Sequence, residues 1–365
     1  MKKLRLLLAI ILVSVGVAVT YHYFEYAVHH SITYIWDTLL NTQSHRWLVV
    51  PTCLVIGLVF FGLQHWLDPA SEKHASEGLG EMPKPTIANF AKVLFIGFFS
   101  LVAGASLGPE AILVPASMVV GGYVGVKLFK QDSQLAKLLA MVGFIALFAS
   151  FFNSFIAGML GLLLVTKQVK IKLNAGLVVV AALASVTTVL ALKVLSSSAF
   201  VEMPPYSWQQ SPRTLLTLVV LVVAGFALTY ILKGLHLGID KFHAVVTKYP
   251  WWVKGTVAAL GLSALYLLGG SLVMFTGNES IVPMLQQAPT LGLAGLAWIL
   301  VVKLFAISWS KTMGYRGGMI FPTVFAASVC VAFSQTIVKD VNFVYGLIAV
   351  IFGVLAANKK LQILF

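Results

Sequence analysis

Long runs of apolar residues alternate with short polar or glycine-containing connections along the chain. An α-helix needs roughly 20 apolar residues to cross a bilayer, and the runs approach or reach that length. No alternation of apolar and polar residues over strands of about ten residues is present, so a membrane β-barrel is disfavoured. The pattern predicts about eleven membrane helices, at 4–22, 48–66, 91–104, 111–129, 137–166, 174–196, 213–235, 252–275, 289–308, 319–337 and 341–357.

Composition strengthens this prediction. Hydrophobic residues make up 59% of the chain and charged residues 10%, and the mean hydropathy is +0.94. These values exclude an ordinary soluble domain. We expect an all-α polytopic membrane protein with a single transmembrane domain over 1–365 and no cytosolic regulatory domain.

The N-terminus predicts the orientation of the chain. Lys2, Lys3 and Arg5 precede the first apolar run, and no small-x-small cleavage site follows it. We expect a retained first helix with its N-terminus in the cytoplasm, in a bacterial inner (plasma) membrane. The net charge of +13 suits an anion pathway, although most basic side chains serve topology and contact lipid headgroups.

Candidate chemistry outside the apolar runs is sparse. Cys53 and Cys330 lie far apart in apolar sequence and are expected to be packed thiols. His29 and His30 are adjacent and therefore point to different faces of a helix. We expect no metal site and no cofactor. The sequence lacks the HExxH, Walker, GxSxG and dinucleotide motifs, so we predict neither an enzyme nor a nucleic-acid partner.

Glu110 lies in the stretch GASLGPEAILVPAS, residues 104–117, where glycine and proline interrupt an apolar region. A carboxylate with apolar sequence on both sides is a functional candidate in a membrane protein. The other eleven acidic residues are expected in polar connections or at helix ends. A second interpretation is that Glu110 only caps a helix that begins near Pro109, because acidic residues and proline both favour a first turn.

The glycine breaks also occur as a repeat. GASLGPEA is followed about 40 residues later by LFASFFNSFIAGMLGLLL, and GYRGGMIFPTVFAAS is followed at a similar distance by AVIFGVLAANKKLQILF. We therefore predict inverted repeat halves at 48–196 and 213–365. Broken helices in corresponding positions direct backbone N–H groups and positive dipole ends at a ligand, which predicts an anion.

Four segments resemble motifs of the CLC family of chloride channels and proton-coupled chloride transporters. Residues 108–111, GPEA, stand where the family has GREGP or GKEGP. Residues 317–322, GGMIFP, are similar to its GGIFAP motif. Residues 152–158, FNSFIAG, resemble FNAPLAG, and 276–283, TGNESIVP, resemble a glycine-rich segment that precedes a helix. The order of these segments makes the resemblance more specific than any one of them.

The resemblance implies a homodimer in membrane lipid, in which each subunit carries its own pathway for chloride or a similar anion. Glu110 would be the gating carboxylate, competing with the anion for the same donors. The implied anion-binding residues are Gly108, Gly317, Gly318, Met319 and Ile320, with the backbone N–H groups of Met319 and Ile320 as donors. The alternative for the Gly317–Gly318 pair is a simple turn without a ligand.

The first-half motifs depart from the family pattern. Where a pore serine is expected, GLGEMP at 78–83 has Leu79 or Gly80. Pro109 has no backbone N–H to donate. Residues 163–166 contain no carboxylate in the place where proton-coupled members have an inner acidic residue. This favours passive conduction over proton coupling.

The pore tyrosine of the family is assigned to neither Tyr315 nor Tyr345. The chain ends at LAANKKLQILF, where the family continues. We expect a fragment, a divergent relative, or a chain whose core is completed by its dimer partner.

The sequence thus predicts a CLC-type channel for small inorganic anions, chloride foremost, gated by Glu110. One alternative is an anion/proton antiporter with an unrecognised proton route. Another is a non-transporting membrane scaffold derived from the fold. Backbone donors do not distinguish chloride from fluoride or nitrate.

Overall fold

Twelve α-helices form most of the described chain. The computed structural model describes residues 2–42, 44–68, 86–130, 132–169, 171–201 and 212–361. The helices are α1 (Lys2–Ile32), α2 (Val49–Leu67), α3 (Ile87–Val102), α4 (Glu110–Leu128), α5 (Ser133–Phe151), α6 (Phe155–Gln168), α7 (Ala175–Val194), α8 (Pro212–Val246), α9 (Trp251–Gly269), α10 (Ile281–Thr312), α11 (Ile320–Ile337) and α12 (Phe343–Leu361). A π-helix (Thr33–Leu39) and two 3-10 helices (Arg46–Leu48 and Ser271–Val273) complete the described secondary structure.

Nine of the described helical stretches are long and apolar enough to cross a membrane. No named strand occurs in the described ranges, so the all-α prediction is confirmed there. Within lipid, a helix satisfies its backbone N–H and C=O groups internally. Apolar runs of this length therefore fold as helices.

The structure corrects several predicted boundaries. The run at 137–166 forms two helices, α5 and α6, separated at Asn153, whose φ is 44°. Asparagine tolerates this left-handed conformation better than most residues. Helix α8 extends to Val246 rather than ending near residue 235. Within α10, Gly292 has non-helical backbone angles and separates two helical pieces.

The first helix is also longer than predicted. It continues through the tyrosine-rich segment to Ile32, and a π-helix follows directly. Glu25 consequently lies inside α1, and Asp37 lies in the π-helix. The expectation that every acidic residue except Glu110 occupies a connection or a helix end was therefore wrong for Glu25.

One compact unit contains α1, α4 to α7, and the part of α3 up to Phe98. Helices α4 and α5 pack closely through glycines. A Cβ at Gly121 would collide with the carbonyl oxygen of Leu139, and one at Gly143 would collide with that of Ser117. Small residues that bring helix backbones together are typical of packing in membranes.

The second compact unit contains α2, α8 to α12, the π-helix and the segment Phe99–Pro109. Gly225 and Gly353 bring α8 and α12 together, since a Cβ on either would meet the other helix's backbone. This unit holds both glycine breaks described below. A single domain over 1–365, with repeat halves at 48–196 and 213–365, stays a prediction.

Candidate anion site at two paired glycine breaks

Two breaks between helices have the same backbone plan. Gly104 comes two residues after α3 ends and has a φ of 98°, and Gly314 comes two residues after α10 ends and has a φ of 95°. In both breaks the next helix begins six residues after the glycine. A positive φ of this kind favours glycine, which has no Cβ to clash. The sequence motifs GASLGPE and GYRGGMI therefore fold alike, residue for residue.

The two breaks are bonded to each other through Gly108 and Gly318. The N–H of each glycine donates to the carbonyl oxygen of the other, at 2.8 Å in both directions. Gly317 makes this approach possible, because a Cβ there would lie 2.5 Å from the Leu107 Cβ. The N–H groups of Gly108 and Gly318 are thus engaged with each other's carbonyl oxygens.

Side chains from elsewhere in the same unit hold the carbonyl groups of the first break. Trp36 donates from its indole Nε1 to the Val102 oxygen at 3.0 Å. Tyr266 donates its hydroxyl hydrogen to the Gly104 oxygen and accepts the Phe275 N–H. Both aromatic side chains are fully buried.

Two hydroxyl groups complete this set of contacts. Thr276 donates to the Leu107 oxygen at 2.7 Å, and the Ser106 N–H donates to the Ser310 hydroxyl at 3.0 Å. A buried backbone group needs such partners. Donors and acceptors from elsewhere in the chain therefore hold the first break in place.

Basic side chains surround the second break. Arg316 donates its backbone N–H to Ser100 at 2.7 Å, and its guanidinium forms an ion pair of 2.8 Å with Asp68. Burial lowers the pKa of the Arg316 guanidinium, while the Asp68 charge acts to raise it. Lys311 lies 3.5 Å from the Gly317 oxygen, and the Lys254 ammonium lies beside Gly314. These cations make the local potential favourable to an anion.

Lys303 is a buried lysine that the sequence analysis missed. It is fully buried in α10 and donates to the carbonyl oxygens of Val273 at 3.1 Å and Phe275 at 2.6 Å. Its ammonium also lies 5.2 Å from the centre of the Phe325 ring. The signal was a lone lysine inside the apolar run 289–308, which meets the same criterion that singled out Glu110.

Glu110 is the first residue of α4, and its side chain is only 5% exposed. It belongs to the first compact unit, whereas Gly108, Gly317, Gly318 and Met319 belong to the second. The structure thus brings the glycines of the predicted site together. The role of Glu110 stays a prediction.

Met319 is buried directly before α11, and Ile320 is the first residue of that helix. The first N–H groups of a helix have no carbonyl partner within it. The position of both residues therefore suits backbone donation to an anion.

Of the remaining predicted positions, Tyr315 belongs to the second break, and the others belong to helices or fall outside the described residues. Leu79 and Gly80 fall outside them. Residues 163–166 belong to α6. Tyr315 lies in the second break, stacked on Phe60 with ring centres 5.4 Å apart, and burial raises the pKa of its hydroxyl. Tyr345 lies in α12.

Comparison with known proteins gives consistent results. Residues 69–359 match the sequence profile of the family described as voltage gated chloride channel. The ion-transport protein YfeO, whose transport role is itself inferred, is 27% identical over 312 residues in Salmonella newport (strain SL254) and in Salmonella agona (strain SL483). The match covers 80% of this chain and 71% of each relative.

Solved structures share the fold. A CLC-type fluoride/proton antiporter matches with a TM-score of 0.72 and 17% identity, over 96% of this chain and 86% of its own. A slow cyanobacterial Cl−/H+ antiporter matches with a TM-score of 0.74 and 18% identity, over 97% and 85%. A eukaryotic CLC transporter gives 0.68 and 14%, over 98% and 72%. With the family profile extending over most of its length, this chain belongs to the CLC family and is a multi-pass membrane protein with that family's all-helical fold.

Proposed function

We propose that the protein passes small inorganic anions, chloride foremost, across the membrane, with Glu110 as the gate. The observation that carries this proposal is the pair of glycine breaks bonded through Gly108 and Gly318. A helix starts directly after each break, and such a start carries a positive dipole end. Three basic side chains surround the second break, and family membership agrees with an anion as the ligand.

Met319 and Ile320 are the proposed donors at the start of α11. Their N–H groups bind an anion whatever its chemical identity, so chloride, fluoride and nitrate remain candidates. Glu110 occupies the corresponding position at the start of α4, six residues after Gly104. Its carboxylate is itself an anion, and it competes with the permeant ion for helix-start donors.

Channel-like conduction is the proposed mechanism, because residues 163–166 of α6 contain no carboxylate to relay protons. Anion/proton antiport is the first alternative, and it requires another group that takes up protons. A non-transporting scaffold is the second alternative. We propose further that the protein is a homodimer with one pathway per chain, placed in a bacterial inner membrane with its N-terminus in the cytoplasm.

The test is chloride efflux from liposomes containing the purified protein, with internal pH recorded in the same sample. We expect Glu110→Gln to raise efflux and to flatten its pH dependence, because an amide imitates the protonated carboxyl and does not compete as an anion. Asp340→Asn is the matched control, since it removes an exposed carboxylate and should leave efflux unchanged.

Each outcome separates the alternatives. Chloride flux without stoichiometric proton movement supports a channel, and coupled proton movement supports an antiporter. An unchanged efflux and pH profile in Glu110→Gln would remove the gating role. Absence of flux from folded protein, in both the wild type and this variant, would favour the scaffold.

A further inference from the structure

Thr323, in the first turn of α11, has a buried hydroxyl group without a partner. Its side chain is only 3% exposed. Its Oγ1 atom is buried and has no hydrogen-bond partner among the described residues. A buried hydroxyl left in this state is costly for the folded protein, and such a group in a native structure calls for an explanation. A ligand that accepts its hydrogen would remove the cost.

A buried hydroxyl in a helix can donate to a carbonyl oxygen of the preceding turn. Ser328 of α11 and Thr229 of α8 both do so, to the oxygen four residues earlier, at 2.9 Å and 3.1 Å. For Thr323 the corresponding acceptor is the Met319 oxygen. It accepts the Thr323 backbone N–H at 3.1 Å but not the Thr323 hydroxyl. The hydroxyl is therefore directed away from the carbonyl groups of its own helix.

The start of α11 lacks two groups that a helix start ordinarily has. Met319 stands directly before the helix and makes no side-chain cap, a role that serine, threonine, aspartate and asparagine usually fill. Pro322 lies in the first turn and has no backbone N–H. The positive end of the helix dipole remains. The Thr323 hydroxyl thus adds a donor to a turn in which proline removes one.

Thr323 lies on the same helical face as the proposed backbone donors, Met319 and Ile320. Residues three and four positions apart in a helix are neighbours, with about 5–6 Å between their Cβ atoms. Helical side chains also tilt toward the N-terminus of their helix. All three residues belong to the same compact unit. The Thr323 side chain therefore extends toward the position of a ligand held at the start of α11.

The position of Thr323 indicates which kind of ligand fits. Ser308 and Thr312 also have buried hydroxyl groups without a partner among the described residues, but they lie in the last two turns of α10. The dipole is negative there and disfavours an anion. Thr323 lies at the positive end of a helix instead. A small anion matches this end, because it accepts the hydroxyl hydrogen and balances the partial positive charge.

We propose that the Thr323 hydroxyl is a direct ligand of a small inorganic anion at the start of α11, and that it contributes to the affinity of the protein for that anion. The hydroxyl keeps its hydrogen, and no covalent bond is made or broken. The proposal rests on the anion passage proposed above. It adds to the backbone donors a side chain whose contribution substitution can measure.

The test is the effect of chloride on the melting temperature of the full chain in detergent. Potassium chloride is varied against potassium gluconate at equal ionic strength. A ligand that binds the folded protein alone raises the melting temperature, so the concentration dependence gives the chloride affinity. Thr323→Val replaces the hydroxyl by a methyl group of similar size, and we expect about tenfold weaker chloride binding, since hydrogen bonds to charged groups are the stronger ones. Thr323→Ser keeps the hydroxyl and should bind chloride like the wild type.

Melting in gluconate alone distinguishes a ligand from a group that holds the fold. Thr323→Val should melt at the wild-type temperature or above it, because the substitution removes a buried hydroxyl that lacks a partner. Thr229→Val is the matched control, since the Thr229 hydroxyl is equally buried but has an acceptor. It should melt at a lower temperature and keep the full response to chloride.

Two results would overturn the proposal. One is a chloride response that is the same in Thr323→Val as in the wild type, whether large or absent. The other is a lower melting temperature of Thr323→Val in gluconate, which would assign the hydroxyl to the fold.

Chloride efflux from liposomes separates this site from the proposed function. Efflux from protein whose chloride affinity does not depend on Thr323 overturns the site and leaves anion passage standing. Chloride binding that requires the Thr323 hydroxyl, in protein that shows no efflux, supports the site and removes the transport function.

Discussion

Substitution of Gly317 by alanine tests whether contact between the two breaks maintains the proposed anion site. The added Cβ would lie 2.5 Å from the Leu107 Cβ and 3.0 Å from the Gly108 carbonyl oxygen. Carbon atoms in good contact are about 3.5–4.0 Å apart, so the two segments must separate by about 1 Å. Both Gly108–Gly318 hydrogen bonds are 2.8 Å long, and the same displacement stretches them beyond a useful length.

The expected loss of stability follows from these distances. Each of the two hydrogen bonds contributes about 1 kcal/mol net, and crowding a packed site costs about 1–3 kcal/mol when neighbours shift to relieve it. We expect Gly317→Ala to lower the free energy of unfolding by about 3–5 kcal/mol. Because displacement of binding groups by about 1 Å is functionally severe, chloride efflux should fall at least about tenfold.

Thermal unfolding in detergent and chloride efflux from liposomes measure the two effects on the same protein. Gly234→Ala is the matched control, because a Cβ at Gly234 meets no atom within 4 Å. It should leave efflux unchanged and stability equal or slightly higher. Wild-type stability and efflux in Gly317→Ala would refute the reasoning. Reduced stability with full efflux would show that the breaks are bonded but lie apart from the anion pathway.

Two further substitutions test the side chains that hold the breaks. Tyr266→Phe removes the hydroxyl that joins Gly104 to Phe275. It should lower the free energy of unfolding by about 1–3 kcal/mol, measured by thermal unfolding. The control Tyr230→Phe changes an exposed side chain and should leave the unfolding curve unchanged. Lys303→Met keeps an unbranched chain but leaves two carbonyl oxygens without their donor, so we expect a loss of about 1–3 kcal/mol by thermal unfolding. An unchanged melting curve would show that the Lys303 side chain does not stabilise the segment 273–275 whose carbonyl oxygens it contacts.

Much of the fold could be predicted because a single criterion, apolar length, decides membrane helices. The run 111–129 is observed as α4, and the run 319–337 as α11, each within one residue at its ends. The failures have physical causes. The α5–α6 break uses Asn153 rather than glycine or proline, and α8 continues past residue 235 through polar positions where apolar length gives no signal.

The candidate site could be predicted only in part. Glycine motifs marked both breaks, because a positive φ and close backbone approach restrict the choice of residue. The pairing of Gly108 with Gly318 was beyond prediction, because it joins segments far apart in the chain. The same holds for Trp36 and Tyr266, whose partners in the first break depend on tertiary packing.

The Gly108–Gly318 pair also constrains the order in which the protein can fold during its synthesis. The two glycines are separated by roughly two hundred residues of chain, a long loop to close. During synthesis the N-terminal part emerges first, so the first break leaves the ribosome well before its bonding partner exists. In lipid, a backbone group without a partner costs several kcal/mol. The break must therefore remain in water, at the membrane surface or against the insertion machinery until the second break arrives. Assembly of the proposed anion site becomes one of the last steps of biogenesis, and substitutions at Gly317 should reduce the yield of inserted protein as well as its activity.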